Sequence, residues 1–210
     1  MNEDNVLDNF NKEWKGFKGY TKLGNYTQRS IVNAVKEILN EINLPSDAKI
    51  IDMGCGLCKM LHAFRDWGYA NSVGIDFSQE SIKKCEEKGF KKNKDIFLLD
   101  ATNTNYKEKD FTLVFEEGVL EHYKDRTYLP FIKEMVRLSG QYILIAQPDH
   151  FSLYGMVTQL FYIFAQRGVK EYTYRIGDFI KAFEAENFKV KYIKKTAFKD
   201  WQIILFERSE

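Results

Sequence analysis

The sequence predicts an α/β domain with a seven-stranded mixed sheet and helices on both faces, and three observations lead there. Short β-rich apolar runs alternate with helix-spaced patterns along the chain. Each later helical pattern follows a strand, as βαβ units require. The last two apolar runs are joined by residues 196–200 alone, too few for a crossover, so they pair as an antiparallel C-terminal hairpin. The 210 residues suit one domain with a sizeable core. With 44% hydrophobic and 29% charged residues, disordered, collagen-like and disulfide-framework classes are excluded. A net charge of +1 supplies no global field to draw in DNA or an anionic membrane.

Residues 1–29 read as an N-terminal arm, polar with scattered aromatics (Phe10, Trp14, Phe17, Tyr20, Tyr26) and no clear period. The main domain then spans 30–210. Its first helix, 30–43, places Ile31, Val35, Ile38, Leu39 and Ile42 on one face, and Pro45 closes it. Strands are expected at 49–53, 72–76, 96–100, 111–116 and 142–147, then at 188–195 and 201–207 for the hairpin. Helices are expected at 60–67, 79–88, 128–138 and 177–186, the second opening with Ser78 and Ser81 as caps.

The charge-free stretch 151–166 is shorter than the roughly 20 apolar residues a spanning helix needs, and polar residues interrupt it. Written as a helix, it sets Leu153, Val157, Leu160 and Phe164 on one side and Tyr154, Phe161, Tyr162 and Ala165 on others. Such a segment must be covered on more than one face, by a closing lid, a second copy of the chain or a membrane surface. A monomer and a homodimer both remain open. The first thirty residues carry no signal-peptide pattern, and three cysteines (Cys55, Cys58, Cys85) are an odd number at no secreted-scaffold spacing. A cytoplasmic location is the expectation.

Residues 50–58 read IIDMGCGLC, an apolar strand ending in Asp52 and a glycine-containing loop that leads into a helix. Glycine lets backbone approach a ligand, and the helix N-terminus offers free N–H groups. Asp76 ends the second strand 22 residues after Gly54, near the offset at which a carboxylate meets a ribose. A dinucleotide loop would carry glycine or alanine where Lys59 stands, and Asp52 would repel a pyrophosphate. The same carboxylate attracts a ligand bearing ammonium and sulfonium centres, which describes S-adenosylmethionine.

Four segments, IIDMGCGLC, VGIDFS (73–78), LLDAT (98–102) and FTLVFEEGVLEHY (111–123), resemble the motifs of the class I S-adenosylmethionine-dependent methyltransferases in order and spacing. The resemblance covers about residues 30–207. It implies a Rossmann-like sheet, S-adenosyl-L-methionine as cofactor with S-adenosyl-L-homocysteine as product, and a cofactor-binding set of Asp52, Gly54, Cys55, Gly56, Asp76, Phe77, Asp100, Ala101 and Glu116. Within that set, Asp76 takes the ribose, Asp100 and Ala101 the adenine, and the backbone near Glu116 the methionine moiety. The family's third loop glycine is replaced here by Cys58. The chain also lacks the Asn-Pro-Pro or Asp-Pro-Pro tetrapeptide of base-amine methyltransferases, which disfavours a flipped base as substrate.

The implied reaction is methyl transfer to a small or medium-sized, partly apolar acceptor; a protein or RNA acceptor, or a non-catalytic cofactor-binding module, are the alternatives. Candidate bases are His122, in the turn after the fourth strand, His150 in QPDH, and Glu117; His62 lies within a helix and reads as packing. Tyr20, Tyr154 and Phe161 are the expected substrate contacts, because the family often inserts a segment over the acceptor after the fifth strand, and the aromatic insertion 151–166 is expected to close as a lid together with the N-terminal arm around Trp14 and Tyr20. Cys55-Gly-Leu-Cys58 also fits a thioredoxin-type dithiol or an oxidisable Cys55–Cys58 pair at the loop, whereas a zinc site wants about four ligands and one CxxC pair is present.

Overall fold

The computed structural model describes residues 3–17, 22–153, 155–157, 169–197 and 199–209. Helices α1 (Glu3–Gly16) and α2 (Lys22–Glu41) precede β1 (Ile50–Met53), α3 (Lys59–Asp66), β2 (Ser72–Asp76), α4 (Gln79–Glu87), β3 (Ile96–Leu98) and β4 (Phe111–Glu117). A short 3-10 turn at Leu120–His122 leads to α5 (Leu129–Leu138) and β5 (Ser139–Pro148), and α6 (Ile176–Glu184), β6 (Phe188–Lys195) and β7 (Trp201–Arg208) complete the chain.

The seven strands lie in the order β3-β2-β1-β4-β5-β7-β6. β1 to β5 pair in parallel, and β7 runs antiparallel to both β5 and β6. Alternate residues along each central strand enter opposite cores. Ile51, Val114, Ile143 and Ile145 pack with α5 and α6, while Ile50, Leu113, Phe115 and Leu144 pack with α2 and α3. A strand buried on both faces cannot show an apolar–polar alternation, which is why these segments read as continuous apolar runs. The chain leaves β1 for β2 on one side and returns from β3 to β4 on the other, so a crevice opens at the C-terminal ends of β1 and β4. No helix among the described residues is long and apolar enough to cross a membrane.

Two segments differ from expectation. The supposed irregular arm contains α1, and the amphipathic helix begins at Lys22, well before residue 30. Leu7, Phe10, Trp14 and Phe17 in fact recur at three- and four-residue spacing; α1 packs on α4, with Phe10 against Phe77 and His122 and Trp14 over Gly56. The third strand stops at Leu98, because Asp100 Oδ1 accepts from both the N–H and the hydroxyl of Thr102 at 2.8 Å and so turns the chain.

Candidate active site

The glycine loop is pinned against β2. The N–H groups of Gly54 and Cys55 donate to the Ile75 carbonyl at 2.8 and 2.9 Å, and Gly56 N–H donates to Asp76 Oδ2 at 2.8 Å. Gly54 has φ +77°, and a Cβ there would come within 2.6 Å of Val119, so no larger residue fits. Cys58 has φ +55° and caps α3 without a side-chain bond. A third glycine at this position would therefore serve the left-handed backbone, a conformation that costs a non-glycine residue about 1–2 kcal/mol.

The sulfur of Cys58 is bonded to Cys85 of α4, which fastens the loop to the helix beyond β2. Cys55 is a free, buried thiol whose Sγ lies 3.7 Å from that of Cys58. A Cys55–Cys58 bond and a helix-activated dithiol, the alternatives that the CxxC spacing allowed, are therefore not what the structure shows. Burial, with Asp76 and Asp52 nearby, pushes the Cys55 thiol well above its ordinary range. Denatured protein free of reductant should thus show one reactive thiol, and three after reduction. Because the bond closes a separation of 27 residues, reduction should lower stability by about 3–4 kcal/mol. Three thiols before reduction would contradict the bond.

Two buried carboxylates flank the loop. Asp52, at the end of β1, is driven well above the usual carboxylate range by burial and by Glu117 and Asp76, with Lys59 opposing. Asp76 accepts from Gly56 N–H and Ser78 N–H at 2.8 Å each, yet burial still lifts it to about 6. A buried anion so short of positive partners fits a ligand that carries cationic centres. Phe77 is exposed and meets Phe10 edge-on at 5.4 Å. Asp100, exposed, and Ala101, half-buried, sit in the turn beyond β3. Glu116 is fully buried in β4, with both oxygens bound by Gln147 Nε2.

The candidate bases fare differently. Glu117 is committed to an ion pair with Lys59 at 2.8 Å, which ties β4 to the start of α3. His122 Nδ1 lies 3.0 Å from the Lys170 carbonyl, a contact that requires the Nδ1–H tautomer, and its ring meets Phe10 at 5.0 Å. Burial lowers its pKa and favours the neutral imidazole. His150 is buried, its Nε2 3.6 Å from Glu171 Oε2. His62 is exposed on α3 and paired with Asp66. Tyr20, Tyr154 and Phe161 lie outside the described residues.

The N-terminal segment expected to act as a lid around Trp14 and Tyr20 is helical over Glu3–Gly16 near the loop, a form the sequence reading missed together with Asn11. Trp14 of α1 lies over Gly56, where a Cβ would come within 3.3 Å of the indole, and Asn11 Oδ1 accepts from Ser78 Oγ at 2.7 Å. The helical stripe in residues 7–17 was the signal for it. Sequence reasoning also missed Glu121, Gln147 and Glu171, which cluster with Glu116 and His150.

A methyltransferase-domain family model matches residues 51–143, which hold the glycine loop, Asp76, Asp100 and the whole of β4. The matched segment is a methyltransferase domain, and the chain has the fold of the class I S-adenosylmethionine-dependent methyltransferases. Such methyltransferases use S-adenosylmethionine as methyl donor, and the glycine loop, Asp52 and Asp76 all lie within the matched segment. The fold matches magnesium protoporphyrin IX methyltransferase from Synechocystis PCC 6803 with bound SAH, at a TM-score of 0.78 and 19% identity, over 99% of this chain and 100% of that one. An uncharacterized protein of Methanocaldococcus jannaschii is 24% identical over 195 residues, 92% of this chain and 79% of its own length. A phosphoethanolamine N-methyltransferase of Plasmodium falciparum is 27% identical over 126 residues, 58% of this chain and 47% of that protein. The chain thus spans less than half the length of that curated relative.

Proposed function

We propose that this chain transfers the methyl group of S-adenosylmethionine to a small or medium-sized, partly apolar acceptor. The observation that carries this reading is the position of α1, whose Phe10 and Trp14 roof the loop, Phe77 and His122 with aromatic surface. A roof drawn from the chain itself favours an acceptor small enough to lie beneath it, and water excluded from the site strengthens the electrostatics inside. Immediately after His150, the large apolar side chains of Phe151, Leu153, Met156 and Val157 are exposed, which suits a further apolar contact with the acceptor.

When bound, S-adenosylmethionine supplies an electrophilic methyl group on a sulfonium sulfur. The chain's own part is placement. In this reading Gly54, Cys55 and Gly56 bring backbone against the cofactor, and Asp52 offsets its positive charge. Asp76 takes the ribose hydroxyls with the lone pairs its two amide bonds leave free. Phe77, Asp100 and Ala101 border the adenine, and Glu116 the methionine moiety. Holding the acceptor in line with the methyl contributes most of the rate, with a base needed only for an acceptor that arrives protonated.

The experiment is incubation with methyl-labelled S-adenosylmethionine and a cell extract, separated afterwards into metabolite and macromolecule fractions. Label in a metabolite is the expected result. Label in protein or RNA would favour a macromolecular acceptor, and label left on the donor would favour a non-catalytic module. The similar proteins methylate acceptors of different kinds, phosphoethanolamine and magnesium protoporphyrin IX among them, and so support methyl transfer without selecting an acceptor.

A further inference from the structure

Away from the glycine loop, the C-terminal ends of β4 and β5 carry a second group of buried polar side chains. Glu116, Glu121, Gln147 and His150 are 0, 3, 0 and 5% exposed. Gln147 Nε2 donates to both oxygens of Glu116, at 2.8 and 2.9 Å. Tyr172 N–H donates to the Glu121 carbonyl at 2.7 Å, and the neighbouring Glu171 places its Oε2 3.6 Å from His150 Nε2. Glu121 Oε2, Gln147 Oε1 and both ring nitrogens of His150 are buried with no hydrogen-bond partner among the described residues. Leaving such atoms unpaired in a buried site is costly, so the group is built for something that donates hydrogen bonds.

Gly118 lies beside this group. A Cβ at this position would come within 3.1 Å of Glu121 Oε1 and 3.2 Å of the Trp201 indole, so only glycine lets the backbone pass this close to the carboxylate and the ring. The geometry points to this cluster as the subsite for a protonated amino group on the acceptor, held by Glu121 Oε2 and Gln147 Oε1. The inference rests on the methyl-transfer reading and names its acceptor class.

An ammonium brings several N–H donors and a positive charge to an acceptor-rich, acidic site. A neutral hydroxyl brings one donor and no charge, and a carboxylate or phosphate is repelled. Burial, then Glu121 beside it, raises Glu116 well above the carboxylate range, and burial, then Glu171, raises Glu121 to about 8, the condition a bound cation relieves. The ammonium must lose a proton before its nitrogen can accept a methyl group. An N–H bond breaks, its electron pair stays on nitrogen, and the proton passes to a free ring nitrogen of His150. The imidazolium formed there is balanced by Glu171.

The test is calorimetric titration of the S-adenosylhomocysteine-loaded protein with a panel of amines (butylamine, phenethylamine, lysine methylamide) and their alcohol isosteres. At least one amine should bind roughly tenfold or more tighter than its isostere, and E121Q should lose that preference while S-adenosylhomocysteine binds it as before. Repeating the amine titration in two buffers of different ionisation heat should show proton exchange on binding that H150Q alters. Alcohols binding as well as amines, no amine binding at all, or an unchanged preference in E121Q would overturn the assignment. Failure of the wild-type protein to bind S-adenosylhomocysteine would instead remove the methyl-transfer reading beneath it.

Discussion

Replacing Asp76 with alanine is expected to weaken S-adenosylhomocysteine binding by on the order of 1.5–3 kcal/mol, roughly ten- to a hundredfold. Two losses combine in that variant. The ribose hydroxyls lose a charged acceptor, and the N–H groups of Gly56 and Ser78, each 2.8 Å from a carboxylate oxygen, lose their partner, so the loop itself slackens. D76N should fare little better, because its amide group would set N–H against one of those N–H donors. Affinity in the wild-type protein should also fall as pH drops below about 6, where the carboxylate takes up a proton and can no longer accept from all its donors. Equilibrium titration across pH checks both statements; wild-type affinity in D76A would remove Asp76 from the site.

The second large effect is on stability. Glu121 has its carboxyl raised from 4.5 to about 8, first by burial and then by Glu171, with His150 and Gln147 opposing. Between those values the folded protein keeps a proton that the unfolded chain releases, so stability falls as pH rises from about 4.5 to about 8 and levels off above. Glutamine does not titrate. E121Q should therefore gain on the parent progressively over that range, each kcal/mol raising the melting temperature by about 2–4 °C. Melting curves at several pH values decide it, and a difference that stays constant with pH would contradict the assignment of the proton to Glu121.

The order of strands and helices was legible because a buried parallel sheet leaves long apolar runs between helical patterns. Its parallel pairing followed from the connection lengths, and the antiparallel ending from the five-residue turn before Trp201. Gly54, Gly56, Asp52 and Asp76 were legible because a loop that must approach a ligand restricts residue type position by position. The rest depended on contacts distant in sequence. No spacing rule pairs Cys58 with Cys85, and the CxxC pattern pointed instead to Cys55. Glu121, Gln147 and His150 come from separate segments that only the β4–β5 pairing brings together. The stripe in α1 was present at helical spacing but was diluted by the polar residues between its aromatics.

Hydrogen exchange with and without S-adenosylhomocysteine tests the central claim most directly. If the glycine loop, Asp76 and α1 form one cofactor site, the amides of residues 54–58, 76–78 and 10–14 should slow together on addition of the ligand. The outer strand β6, at the far edge of the sheet, should be unchanged. Exchange that stays the same at residues 54–58, or protection confined to segments remote from the ends of β1 and β2, would contradict the account.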